Sequence, residues 1–161
     1  MSDPIAQAAE ALATAPSRAE KLARALVARA PQDPRPRLIL ASALRRQGRC
    51  VEALSLLAPL AQAFPRAART RYELGLCLTA TGRAAEGLAQ LDAAVQLDPA
   101  LAEAWQAIAD AAFAKGDGPR ERQAKAALAR LAADHPEVGR AAEMVALGRH
   151  GEAEPILRAF L

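Results

Sequence analysis

Apolar residues along the chain recur at intervals of three and four, the spacing of one helix face, and never settle into the two-residue alternation of a half-buried strand. The apolar runs are short, and each is closed by a glycine or a proline. Sliding the sequence along itself shows why: Gly48, Gly82 and Gly116 are each 34 residues apart, as are Leu40, Leu74 and Ile108, and Pro31, Pro65 and Pro99. Leu44 and Leu78, Arg49 and Arg83, Glu52 and Glu86, Ala53 and Gly87, and Leu57 and Leu91 keep the same step. Glycine tolerates positive φ at a helix end, and proline cannot continue a helix. The pattern therefore predicts a unit of helix, glycine turn, helix and proline turn, and an all-α fold.

This period and spacing resemble the tetratricopeptide repeat. The resemblance places three units, at 34–67, 68–101 and 102–138. The family's Trp position holds Arg37, Arg71 and Trp105, its Leu position Leu40, Leu74 and Ile108, and its Gly position Ala41, Gly75 and Ala109. Its Tyr position holds Leu44, Leu78 and Ala112. In the second helices, the Ala position holds Ala53, Gly87 and Ala124, and the Phe position Leu57, Leu91 and Leu128. The second Ala position holds Leu60, Ala94 and Leu131, and the closing Pro is Pro65, Pro99 or Pro136. The third unit fits only with three extra residues in Gly116-Asp117-Gly118-Pro119-Arg120, which are expected to lengthen its inner turn. Residues 1–33 form a degenerate helix pair, with Ile5 to Thr14 preceding a second helix marked by Ala19, Ala23 and Leu26. Residues 139–161 form an incomplete repeat around Gly148-Arg149-His150-Gly151-Glu152-Ala153. What the resemblance implies is one domain, a right-handed superhelical solenoid of antiparallel helix pairs with an exposed concave surface. The last residues, Ile156-Leu157-Arg158-Ala159-Phe160-Leu161, end on apolar side chains without a closing Pro turn. The expectation is that the chain is the N-terminal piece of a longer protein; otherwise a partner or a second copy covers that edge.

Composition supports helix and narrows the rest. Apolar residues make up 52% of 161 and aromatics only 3%, so the core is aliphatic. Alanine, the best helix former, supplies much of it. No stretch is apolar enough to span a bilayer. The N-terminus lacks the basic and apolar regions of a secretory signal, and Cys50 and Cys77 alone make a poor disulfide framework, so a reducing, cytoplasmic setting is expected.

In the resembled family, one face of each first helix lines the groove. Carried over by position, that face holds Arg35, Leu38, Ser42, Arg45 and Arg46 in the first unit. It holds Arg69, Tyr72, Leu76 and Thr79 in the second, and Glu103, Gln106, Asp110 and Phe113 in the third. Residues 34–71 carry eight arginines against one acid, Glu52, although the whole chain is only +3. A basic, partly apolar groove implies an acidic-hydrophobic protein or peptide, with arginine forks on carboxylates; solvated arginine stems covering helix surface are the plainer alternative. The Lys and Asn with which some family members grip chaperone tails are replaced here by Leu38 and Ser42, which argues against that ligand.

Trp105 is expected in the core and Cys50 and Cys77 as buried, inert thiols. His135 and His150 lack zinc-ligand spacing, and Gly116-Asp117-Gly118 lacks the Lys-Ser/Thr of a phosphate loop. No acid/base constellation stands out, so the expectation is no enzyme, no cofactor, no metal, no nucleic acid and no membrane. The chain reads as a protein-binding module. Its Ala/Arg-rich repeats are similar to the N-terminal arms of bacterial sulfotransferases and glycosyltransferases that modify proteins, which suggests a recruiting arm. The alternative is a structural protein that self-associates, as a dimer or filament, through its apolar C-terminal helix.

Overall fold

A computed structural model of the chain describes residues 3–134 together with 140 and 144. It contains α1 (Pro4–Thr14), α2 (Pro16–Arg29), α3 (Pro34–Arg46), α4 (Cys50–Ala63), α5 (Ala68–Ala80), α6 (Ala84–Leu97), α7 (Ala102–Lys115) and α8 (Gly118–Asp134). No strand occurs among the described residues. The fold is all-α, built of antiparallel helix pairs, among them the hairpins α3–α4, α5–α6 and α7–α8. Of the incomplete repeat expected at 139–161, all but residues 140 and 144 lies outside the described residues, its apolar end and His150 included; so do His135 and the third unit's closing Pro136.

Each hairpin turns by the same device. Gly48, Gly82 and Gly116 have φ of 77°, 86° and 70°, a conformation that side-chain-bearing residues rarely adopt. The following N–H of Arg49, Arg83 and Asp117 then reaches back to the carbonyl of Leu44, Leu78 and Ala112 at 2.9 Å each, closing the Schellman motif.

The position that the family fills with Trp works as a clamp. Arg37 donates a guanidinium N–H to the Pro31 carbonyl, Arg71 does so to Pro65 at 3.3 Å, and the Trp105 indole N–H to Pro99 at 2.9 Å. All three side chains are half-buried, so Trp105 is a clamp at the edge of its hairpin and not a fully buried core residue. Arginine replaces tryptophan because the position needs an N–H donor on a broad stem.

One expectation is corrected. The turn between α7 and α8 is not lengthened: it spans only Gly116 and Asp117, against Gln47–Arg49 and Thr81–Arg83 in the other two hairpins. The three additional residues are helical, so α8 has 17 residues where α4 and α6 have 14. Asp117 is the cause, because its carboxylate accepts the Arg120 N–H at 3.2 Å and caps a helix whose early Pro119 needs no hydrogen-bond partner.

Contacts divide the chain into two compact units, Met1–Asp98 and Pro99–Leu161. In the first unit, Leu40, Leu44, Leu57, Leu74 and Leu78 form the centre of one core with Ala23, Ala41, Ala53 and both cysteines. In the second, Ala104, Ile108, Ala109 and Ala112 of α7 face Ala124 and Ala127 of α8. Alanine at these crossings lets helices approach closely, while each buried leucine contributes about 1.5–3 kcal/mol through burial.

Candidate functional site

Within the first unit, α1 packs on α3 and α3 on α5, whereas no two second helices are in comparably extensive contact. First helices therefore line its inner wall, the surface on which the sequence places the groove. Leu38, Tyr72 and Leu76 are half-buried there and keep apolar surface open; Arg35, Arg46 and Arg69 are exposed. The Arg69 guanidinium lies 5.3 Å from the centre of the Tyr72 ring, a cation–π pair. Ser42, by contrast, is only 5% exposed and offers no surface. Thr79 donates its hydroxyl to the Gly75 carbonyl within its own helix at 3.0 Å, beside Gly87 of α6.

Internal acceptors already hold most of the eight arginines. Arg35 forks onto Asp33 (2.7 and 3.0 Å), and Arg71 reaches the Gln90 side chain (2.8 Å) besides its proline carbonyl. Arg45 pairs with Glu73 at 2.6 Å, and Glu73 is 2% exposed. Arg49 bridges Glu52 at 2.7 Å and Glu20 at 2.9 Å. Exposed Arg46 and Arg66 make no ion pair among the described residues. The basic surplus counted in the sequence is therefore mostly spoken for by the fold.

Glu20 of α2 is the centre of this charge network. Arg24, the Gln47 amide and Arg49 all donate to it and hold its carboxyl down at about 2. It ties α2 to the glycine turn after α3. Sequence reasoning missed both Glu20 and Glu73, since their partners sit 29 and 28 residues away, off the repeat step. The one available signal for Glu73 was its isolation as the sole acid of α5.

Arg45 and Leu76 also line an open cavity of about 600 Å³ at the turn end of the wall, with Gly48, Arg49, Cys50, Val51, Glu52, Ala80 and Thr81. In the second unit, Gln106 donates to Asp110 at 2.8 Å, both exposed, and Phe113 shows 72% of its surface. Glu103 is exposed on the same helix.

Among the described residues, no group of three or more His, Cys, Asp or Glu could hold a metal ion, and no helix is long and apolar enough to cross a membrane. No protein-family model matches the sequence, and no curated protein does. Solved structures do. A MamA structure (MSR-1) is 25% identical with a TM-score of 0.60, over 73% of this chain and 70% of its own. A thermophilic TPR protein of Thermus thermophilus is 21% identical with a TM-score of 0.70, over 95% and 86%. YrrB, described as a TPR protein with an unusual peptide-binding site, is 18% identical with a TM-score of 0.62, over 74% and 62%. The 34-residue period, the hairpin geometry and these likenesses together identify the chain as one of tetratricopeptide-repeat fold.

Proposed function

We propose that this chain is a protein-interaction module that holds an extended or helical peptide on the first-helix wall of its first unit. The observation that carries the reading is the apolar strip of Leu38, Tyr72 and Leu76, left half-open on that wall and flanked by the exposed cations Arg46 and Arg69. Two aliphatic side chains and an aromatic ring offer apolar area, and cations at the rim favour a ligand with acidic residues beside its apolar anchors. The peptide-binding site ascribed to YrrB lends the fold-level analogy. Arg35 and Arg45 are set aside as gripping residues, because Asp33 and Glu73 occupy their forks.

A displayed peptide library panned on the full chain tests this. Enriched sequences should pair acidic with apolar residues, and Tyr72→Ala with Leu76→Ala should weaken the selected peptide at least about tenfold with helicity unchanged. Arg46→Glu should weaken it further, whereas Arg35→Glu should do little. Selection of peptides indifferent to all these changes would discard the wall as the site. A place within a larger protein-modifying enzyme, and a cytoplasmic setting, are parts of the same proposal; the sizes and neighbours of the intact gene product test both.

A further inference from the structure

Cys50 opens α4 and lines the cavity, with 9% of its surface exposed; Cys77 of α5 is fully buried in the same core cluster. Cys50 meets Leu76, Ala80 and Thr81 around that cavity, the stretch of chain that carries Cys77, so the two thiols are neighbours where α4 packs on α5, the contact that joins repeat 1 to repeat 2. The repeat step shows that neither sulfur is required for packing. One step after Cys50 stands Ala84, and one step before and after Cys77 stand Ala43 and Ala111. Alanine stands at these three equivalent positions, and sulfur takes both places at the α4–α5 contact.

We propose that Cys50 and Cys77 are a modification site, a dithiol that a low-molecular-weight disulfide of the glutathione class oxidises reversibly to a bond between the two repeats. Burial, with Cys50 as neighbour, pushes the Cys77 thiol up to about 12, so Cys77 stays protonated at rest and Cys50, the sulfur with an opening, reacts first. The Cys50 thiolate attacks the small disulfide, forming a mixed disulfide and releasing one small thiol. The Cys77 sulfur then attacks the Cys50 sulfur, and the second small thiol departs with the Cys77 proton. Two protein thiols are oxidised to one disulfide, and one small disulfide is reduced to two thiols.

The test treats the full chain with oxidised glutathione. Both titratable thiols should disappear while the protein stays monomeric and loses two hydrogens from its intact mass. A cross-linked peptide should join Cys50 to Cys77. The urea midpoint should rise and return to its starting value with dithiothreitol, because the bond restricts the unfolded chain. Cys77→Ala should instead accumulate one glutathione on Cys50, and Cys50→Ala should take up none; alanine at the equivalent positions makes both variants compatible with the fold. Two thiols that persist throughout, or disulfides found only between chains, overturn the proposal.

Discussion

The hairpins α3–α4 and α5–α6 share helix lengths, glycine turn and proline-carbonyl clamp, yet Ala41 and Ala53 occupy in the first the positions that Gly75 and Gly87 hold in the second. The second pair is in more extensive contact. A Cβ on Gly75 would lie 2.9 Å from the Gly87 carbonyl oxygen, and one on Gly87 would lie 2.7 Å from the Gly75 carbonyl oxygen and run into the Thr79 hydroxyl. Backbone thus meets backbone in repeat 2, at the conformational-entropy cost of glycine inside helices. Repeat 1 carries a different burden, Pro59 within α4, and different supports: the Asp33 cap on α3 and the charge network that Glu20 brings from α2. One hairpin is held from within by close approach, the other from without by polar ties.

Three substitutions break or sharpen that contrast. The largest effect is expected from Gly87→Ala, which has no room for its methyl group and should cost about 2–3 kcal/mol in urea unfolding, despite the better helix propensity of alanine. A gain in stability there would mean that glycine is not what sets the approach. Next, Pro59→Ala should stabilise by about 2 kcal/mol, since the ring is exposed and its removal restores an N–H inside α4. A rise in thermal midpoint checks it; no change would show that α4 already accommodates the ring without loss.

The smallest effect, and the one with a pH signature, belongs to Glu20→Gln, expected to lose about 1–2 kcal/mol at neutral pH. The Glu20 carboxyl is depressed to about 2 in the folded chain from an ordinary 4.5, so its contribution is complete above pH 4.5 and fades as pH falls towards 2. Stability profiles of the two proteins should therefore converge in acid. Parallel profiles down to pH 2 would remove Glu20 from its central role.

The elements that the sequence discloses are those governed by local rules. Positive φ at Gly48 and Gly82, helix stops before the closing prolines, and small residues at crossings all recur at one step, so the period exposes them together. The α7–α8 turn escaped because Asp117-Gly118-Pro119 reads equally as a loop or as a capped helix start, and only the carboxylate's bond to the Arg120 N–H decides between them. The candidate wall was legible as positions but not as chemistry. Leu38, Tyr72 and Leu76 are half-buried, while Ser42 is covered by its neighbours. Arg35 and Arg45 look available until Asp33 and buried Glu73 are seen to hold them. Ion pairs between different helices follow tertiary geometry, which no repeat step encodes.

The proline-carbonyl clamp has a practical side for anyone assembling synthetic arrays of such hairpins. Because a guanidinium does at Arg37 and Arg71 what an indole does at Trp105, a builder can exchange oily rings for cationic forks at every module boundary, trading apolar bulk for solubility while the linker between helices stays latched.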